Sequence, residues 1–333
     1  MWSWIKGIFL LALCLTLLAV AGLSWYAFSP VKLRTEPADF SIRPGSSLKS
    51  ATRQIVESGV ELKAWRFNLL GRLLGKAGTI KAGSYEVRAG ITPLALLDKL
   101  TAGEVTQAEV ALIEGWTFRQ MRAALDAEPS VAHDSSALSD AGIMAKLGVA
   151  GRNPEGLFFP DTYLFGKGAS DLDILRRAYK AMDRQLQAAW ERRAPDLPYR
   201  NPYEALIMAS VIEKETGQAS DRALIGGVFV NRLRMGMMLQ TDPSVIYGLG
   251  EKFDGNLRKK DLLTDTPHNT YTRTGLPPTP IAMPGQASLQ AALNPAKTPA
   301  LYFVARGDGT SEFSRTLAEH ERAVARYQRR GGR

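Results

Sequence analysis

The chain has 333 residues, a length that suits one large domain or two ordinary ones. Its residues are 45% hydrophobic and 23% charged, which is an ordinary globular composition. Its single cysteine, Cys14, excludes a disulfide within the chain and a cysteine-based metal cluster. The three histidines, His133, His268 and His320, lack the spacing of metal ligands, so we expect no metal ion and no other cofactor. The net charge of +9 comes without an aromatic-and-basic RNA-binding motif, so we expect no nucleic-acid partner.

The first element is a long apolar run, because no charged residue occurs from 7 to 31. About 20 apolar residues are enough to cross the hydrocarbon layer as a helix. The sequence therefore predicts a transmembrane anchor over 7–29, preceded by a short tail over 1–6. Ala19-Val20-Ala21 would suit the cleavage site of a signal peptide, but the apolar stretch continues to Phe28, which favours an anchor.

The next fifty residues predict a strand, two helices and a second strand. The strands are expected at Asp39–Arg43 and Ala82–Val87, and the helices at Leu48–Ser58 and Glu61–Gly75. This order is similar to that of a LysM-like module, a small fold that often holds glycan strands. We therefore assign 36–104 to a LysM-like βααβ subdomain, with a generic α+β subdomain as the alternative.

The segment 105–330 predicts a mainly helical domain with a few short strands, so the fold class is α+β. The stretch Met235–Pro284 is rich in Gly, Pro, Thr and Asn and has little periodicity. An irregular segment of this length is uncommon in a compact domain unless it builds a site. The principal helices are expected at Thr117–Ala127, Leu172–Arg193, Pro202–Thr216, Asp221–Arg234 and Arg315–Arg330, and a strand at Leu301–Arg306.

One apolar helix ends in two glutamates, Glu213 and Glu215, which point about 200° apart. Glu215 stacks over Met208, Val211 and Ile212, its i−7, i−4 and i−3 neighbours. A carboxyl against apolar side chains has its acid form favoured, which is the property that a general acid needs near neutral pH. From periodicity alone, the alternative that both are solvated glutamates at a helix end stays open.

The sequence around this helix resembles that of the YceG-like endolytic murein transglycosylases. The likeness extends over nearly the whole chain after the apolar run, and its motifs together are specific. The matching runs are Glu155–Thr162, Ala209–Thr216, Val228–Arg234, Leu239–Gly248, Asn269–Tyr271, Thr274–Pro278, Pro295–Pro299 and Leu301–Val304.

The resemblance implies a single-pass protein of the bacterial inner membrane, with its N-terminus in the cytoplasm and its catalytic domain in the periplasm. It implies a lytic transglycosylase that cleaves the bond between N-acetylmuramic acid and N-acetylglucosamine inside nascent peptidoglycan strands. The product would carry a 1,6-anhydro-N-acetylmuramic acid end, and the cut would terminate strand elongation. The implied partners are glycan strands and peptidoglycan synthases.

The resemblance also implies a catalytic glutamate in the run Glu213–Thr216. We assign this role to Glu215 and keep Glu213 as the alternative. Ordinary glycosidases need a second carboxylate. Asp161 and Asp242 are the candidates for it here, although capping of the following short helix is the slightly favoured role of Asp242.

Other polar residues in the matching runs are candidates for binding sugar. Asn231 would either orient the catalytic carboxyl or tie helices together. A hydrolytic muramidase and a non-catalytic peptidoglycan-binding scaffold remain the alternative functions. The predicted sugar-binding residues are Gln240, Thr241, Asn269 and Tyr271, which offer hydrogen bonds, and Tyr247, which offers a flat face for a pyranose ring. Asp161, Asn231 and Asp242 are also predicted to bind substrate.

Overall fold

The computed structural model describes residues 2–328, so the first residue of the predicted tail and the last two of the predicted catalytic domain lie outside the described part. The chain divides into two compact units. The first unit extends to Glu109 and includes Leu164–Ala169; the second comprises Val110–Tyr163 and the chain from Ser170 onward. The fold is mixed α+β, mostly helical with short two-stranded sheets, which confirms the predicted class.

The first unit begins with an apolar helix, and the two strands and two helices expected from the sequence follow in the predicted order, with two additional short strands, one before them and one between the helices. Strands β2 and β4 pair antiparallel, with Phe40 opposite Tyr85, and strands β1 and β3 form a second short pair. The elements are α1 (Trp2–Phe28), β1 (Lys32–Leu33), β2 (Ala38–Ile42), α2 (Leu48–Glu57), β3 (Val60–Glu61), α3 (Ala64–Leu73), β4 (Gly83–Val87) and α4 (Pro93–Ala102).

Helix α1 is long and apolar enough to cross a membrane. The 25 residues Trp4–Phe28 have a mean hydropathy of 2.4, and their side chains are almost entirely exposed. Such a helix suits a single-pass anchor or a signal sequence.

The end of α1 folds as part of the first unit. Ala27 and Val31 are buried in its hydrophobic core, which also contains the stacked rings of Phe40 and Tyr85. The Val31 N–H donates to the carbonyl oxygen of Ile91 at 2.8 Å. Packing therefore holds the last turn of the apolar helix, and a hydrogen bond holds the chain just after it.

The second unit is mainly helical. Strand β5 pairs with β7, β6 with β8, and β9 with β10, each as a two-stranded sheet. The elements are β5 (Gln107–Ala111), α5 (Phe118–Ala127), β6 (Val131–Ala132), α6 (Asp140–Lys146), β7 (Thr162–Gly166), β8 (Ala169–Ser170), α7 (Asp171–Glu191), α8 (Pro202–Glu215), α9 (Ala219–Arg234), α10 (Asp242–Leu249), α11 (Lys259–Leu263), α12 (Gln286–Leu293), β9 (Tyr302–Ala305), β10 (Ser311–Ser314) and α13 (Leu317–Tyr327).

Some of these elements were not predicted from the sequence. Helices α6 and α12 and strands β6, β7, β8 and β10 are additional. The stretch Met235–Pro284 contains α11 as well as the short helix α10 expected after Asp242, so it is less irregular than expected. Helix α6 begins after Ser139, whose hydroxyl accepts a hydrogen bond from the Gly142 N–H. Ser139 is therefore the N-cap of α6.

Helix α8 is the central helix of the second unit. All residues over 205–212 are buried, so the helix is covered on every side rather than along one stripe. Helix α12 packs against both α8 and α9. A Cβ atom on Gly226 of α9 would lie 2.5 Å from the carbonyl oxygen of Ala291, so the close approach of α9 and α12 requires glycine there.

Candidate active site

The carboxyl group of Glu215 lies at the C-terminal end of α8, against the loop that precedes α10. The Thr241 hydroxyl donates to its Oε2 at 2.9 Å. Burial raises the pKa of Glu215, and the neighbouring charge of Asp242 raises it further, whereas the Thr241 hydrogen bond and the charge of Arg232 lower it. Burial is the largest of these effects, so the acid form of Glu215 is favoured.

The loop residue Gln240 has a left-handed backbone, with φ of 50°. This conformation is uncommon outside glycine, and hydrogen bonds of the backbone at 240 and 241 hold it in place. The Gln240 N–H donates to the carbonyl oxygen of Thr270 at 3.1 Å, and the Thr241 N–H donates to the Thr270 hydroxyl at 3.0 Å. Ser244 and Thr270 share a further 2.8 Å hydrogen bond. Because Thr241, Ser244 and Thr270 are buried, this network fixes the hydroxyl that contacts Glu215.

Asp242 is the first residue of α10, and its carboxylate accepts a 2.5 Å hydrogen bond from the Tyr271 hydroxyl. The N-cap residue of α10 is Thr241, and no side chain caps this helix. The capping role favoured for Asp242 is therefore wrong. The side chain of Asp242 is exposed and lies close enough to Glu215 to influence its pKa.

Asp161 differs from Asp242 in its surroundings. Its exposed carboxylate accepts a hydrogen bond from the Thr162 N–H at 2.8 Å, and its carbonyl oxygen accepts one from the Leu112 N–H. Its charge raises the pKa of Tyr163 rather than that of Glu215. Of the two candidate second carboxylates, the structure brings Asp242 to Glu215.

Glu213 binds a different part of the second unit. Its Oε2 accepts a 3.0 Å hydrogen bond from the N–H of Gly285, the N-cap residue of α12. A carboxylate is well placed at the positive end of a helix dipole. Because α8 is buried on every side, the apolar stripe does not distinguish Glu213 from Glu215. Their hydrogen-bond partners do.

Asn231 ties α9 to a neighbouring segment. Its side-chain amide donates to the carbonyl oxygens of Thr298 and Ala300 at 2.8 and 3.1 Å. The adjacent Arg232 is buried and donates to three backbone carbonyl groups, and its charge lowers the pKa of Glu215. Of the two roles considered for Asn231, its contacts fit the tie between elements.

Asn269 is fully buried. Its amide donates to three carbonyl oxygens within 261–264, and its Oδ1 accepts from the Tyr271 N–H at 2.8 Å. These contacts occupy the side chain, so Asn269 holds the loop and positions Tyr271 instead of offering hydrogen bonds to a ligand.

Tyr247 lies one turn further along α10 and contacts a glutamate that we did not single out from the sequence. Its hydroxyl donates to Oε2 of Glu155 at 3.1 Å, and its ring packs edge-on against His268. Glu155 is buried and also accepts from the Phe118 N–H at 3.0 Å. Burial raises its pKa to about 7. In the sequence, the position of Glu155 directly before the apolar run Gly156–Phe159 is the signal that could have indicated a buried carboxyl.

A group of possible metal ligands lies elsewhere in the second unit. One ligand atom from each of Asp126, His133 and Asp171 lies within 4.8 Å of the others, a grouping that the histidine spacing did not predict. The Asp171 carboxylate already accepts hydrogen bonds from Ser135 and Leu172. We assign no metal ion to this group.

Comparison with known proteins identifies the family. Residues 40–326 match the model of the YceG-like family, and the chain belongs to that family. The chain is 34% identical over 304 residues to an endolytic murein transglycosylase of Bacillus subtilis (strain 168), covering 85% of this chain and 83% of the relative.

Two further comparisons agree with this assignment. An endolytic murein transglycosylase of Streptococcus pneumoniae (strain D39) is 28% identical over 282 residues, and the match covers 74% of this chain but 51% of that protein. A crystal structure of a yceG-like protein from Listeria monocytogenes aligns with a TM-score of 0.54 and 30% identity, covering 86% of this chain and 99% of that one.

Proposed function

We propose that this chain is an endolytic lytic transglycosylase that cuts peptidoglycan glycan strands, with Glu215 as its catalytic acid and base. The observation that supports this most is the hydrogen bond from Thr241 to a Glu215 carboxyl whose pKa is raised by burial. Relatives named endolytic murein transglycosylase supply the substrate class.

The proposed reaction needs one well-placed carboxyl. Glu215 protonates the oxygen that leaves the anomeric carbon of N-acetylmuramic acid as the glycosidic bond breaks. Its carboxylate then takes the proton of the sugar's own 6-hydroxyl, whose oxygen forms the new bond to that carbon. Because the nucleophile belongs to the substrate, its effective concentration is high and no water is consumed. The product end is a 1,6-anhydro sugar.

We propose that the exposed groups beside Glu215 bind the sugar. Gln240 and Asp242 are exposed and Tyr271 is half-buried, so each presents polar atoms at the surface of the loop. The hydroxyl of Tyr247 is bonded to Glu155, which leaves part of its half-buried ring available for a pyranose face.

We propose that α1 anchors the chain in the cytoplasmic membrane as a single span, with the tail over 1–6 in the cytoplasm and both compact units outside. The βααβ segment of the first unit would act as the LysM-like module over 36–104 and hold the strand. The catalytic domain over 105–330 would then cut nascent strands beside peptidoglycan synthases, which terminates their elongation.

Muropeptide analysis tests the reaction. The full chain in detergent is incubated with uncross-linked glycan strands in water enriched in ¹⁸O, and the new ends are identified by mass spectrometry. We expect 1,6-anhydro ends without ¹⁸O. Free reducing ends that carry ¹⁸O would show a hydrolytic muramidase, and intact strands would show a binding protein.

The muramidase is the second candidate because Asp242 lies beside Glu215. Hydrolysis uses two carboxylates about 5–9.5 Å apart, one of which activates water or forms a covalent intermediate. Asp242→Asn separates the two reactions. A transglycosylase should still form anhydro ends with this substitution, whereas a muramidase should lose its activity.

A further inference from the structure

Helix α3 exposes an apolar face to solvent. Trp65, Leu69 and Leu73 recur every four residues and therefore lie along one side of the helix. Trp65 and Leu73 are 65% and 66% exposed, whereas Phe67 and Leu70 point into the core of the first unit. We call Trp65, Leu69 and Leu73 the outer face of α3.

Two arginines border the outer face of α3. At 100° per residue, Arg66 and Arg72 lie on its two sides. The guanidinium group of Arg66 stands 5.2 Å from the centre of the Trp65 ring, and Arg72 is exposed. Apolar side chains flanked by arginine are typical of helices that lie in the interface of a membrane with anionic lipids.

The outer face of α3 is also continuous with the end of the apolar helix α1. Arg66 lies 5.8 Å from the ring centre of Tyr26, so it contacts an aromatic ring on each of the two helices. The Tyr26 hydroxyl is 3.5 Å from the carbonyl oxygen of Lys63, just before α3. Phe28, at the end of α1, is 68% exposed.

With α1 as the proposed anchor, these contacts determine the height of α3 relative to the membrane. The last turn of α1 belongs to the core of the first unit, so α3 cannot move independently of it. Aromatic side chains such as Tyr26 at the end of a span lie at the level of the lipid headgroups. The start of α3, which contacts Tyr26, is therefore held at that level.

We propose that the outer face of α3 binds the surface of the same bilayer that α1 crosses, with its leucines against the acyl chains and its arginines at anionic headgroups. This inference rests on the proposed anchor. The exposed leucines offer no hydrogen bonds to a sugar, which favours lipid over glycan as the occupant. The contact would hold the first unit flat against the membrane.

Site-specific fluorescence tests this. In a Cys14→Ser background, the full chain carries one new cysteine, Leu73→Cys, labelled with an environment-sensitive dye and reconstituted in nanodiscs of phosphatidylglycerol and phosphatidylethanolamine. Lipids with a nitroxide near the headgroup serve as quenchers. We expect blue-shifted emission that these lipids quench. Leu317→Cys, at a residue that is 54% exposed in α13, is the matched control and should give water-like emission.

A third label separates failure of this inference from failure of the anchor. Phe28→Cys reports insertion of α1. Quenching at position 28 without quenching at position 73 would overturn the membrane contact of α3 alone. Absence of quenching at both positions would overturn the anchor and this inference with it. A label at position 73 that becomes shielded only when glycan strands are added would identify a glycan-binding face and also overturn the proposal.

The arginines supply an independent readout. In nanodiscs of neutral phosphatidylcholine, the emission at position 73 should shift back toward that of a water-exposed dye. Arg72→Gln should cause a similar shift in anionic nanodiscs, because it removes a charge beside the outer face without disturbing the contact between Arg66 and Tyr26. Emission unchanged by both would argue against binding to anionic headgroups.

Discussion

The hydroxyl of Thr241 donates a 2.9 Å hydrogen bond to Oε2 of Glu215, although the two residues are 26 positions apart in the chain. The next residue, Asp242, raises the pKa of the same carboxyl through its charge. Two adjacent residues therefore shift the pKa of Glu215 in opposite directions, because the Thr241 hydrogen bond lowers it and the charge of Asp242 raises it. The pH range in which Glu215 can donate a proton is set by their balance together with burial.

Substitution of the two glutamates tests which of them carries the reaction. Glu215→Gln keeps the size of the side chain but removes the transferable proton. We expect a loss of about 10²–10⁴-fold in the rate of strand cleavage, the usual value of positioned acid–base catalysis. Melting temperature and binding to glycan strands should change little. The measurement is the rate of formation of anhydro ends.

Glu213→Gln is the matched control for this experiment. It weakens a contact to the N-terminus of α12 through Gly285 and should chiefly lower the melting temperature. Activity should fall far less than in Glu215→Gln when the two variants are compared below both melting transitions. An inactive Glu213→Gln beside an active Glu215→Gln would exchange the two roles.

The neighbours of Glu215 should shift its titration in opposite directions. Thr241→Val removes a donor to the carboxylate, so the pKa of Glu215 should rise further, and the alkaline limb of the pH–rate profile should move to higher pH. Asp242→Asn removes a negative charge that raises the pKa, so this limb should move to lower pH. The profiles of kcat/KM against pH provide the measurement.

Thr241→Ser retains the hydroxyl and is the control for the lost hydrogen bond, because its profile should follow that of the wild type. If Thr241→Val and Asp242→Asn moved the alkaline limb of the pH–rate profile in the same direction, that limb would not reflect the ionisation of Glu215. A profile that neither variant changes would assign the limb to another group.

The sequence predicted the parts of the fold that have local signals. The apolar run gave α1, and alternation with nearby turns gave β2 and β4. Helix α8 was predicted within one residue of its bounds because Asn201 and Pro202 mark its start. Helix α12 was missed since its start, Gly285, offers no capping side chain.

The site was predicted less completely than the fold, because its decisive contacts join distant parts of the chain. Periodicity selected Glu215 for its apolar neighbours, yet the structure buries the whole middle of α8, so it is Thr241 that distinguishes this carboxyl. Asn269 was expected to bind sugar, and nothing in its local sequence indicates that it is fully buried. Glu155 contacts Tyr247 across 92 residues, which no local pattern reveals.

Asn269 should be important for stability as well as for the position of Tyr271. Asn269→Ala leaves three backbone carbonyl groups within 261–264 without their donor. Because these carbonyl groups are only part-buried, each lost hydrogen bond should lower the free energy of unfolding by about 0.5–1.5 kcal/mol. We expect a lower urea midpoint and a higher KM, since the Tyr271 backbone loses its contact to Asn269. Unchanged stability would show that water replaces the amide.

Glu155 should make the stability of the second unit depend on pH. Its pKa in the folded chain is about 7, above the ordinary value of 4.5, because the carboxyl is buried. As pH rises from about 4.5 to 7, the unfolded chain loses this proton first, so the free energy of unfolding should fall by at most about 3 kcal/mol and then level off. Glu155→Gln cannot ionise and should lack this decline, which urea unfolding at several pH values would measure. Tyr247→Phe removes a donor that lowers the pKa of Glu155. In this variant the free energy of unfolding should therefore continue to fall to a higher pH than in the wild type. A Glu155→Gln variant whose stability falls in parallel with the wild type would assign the pH dependence to another group.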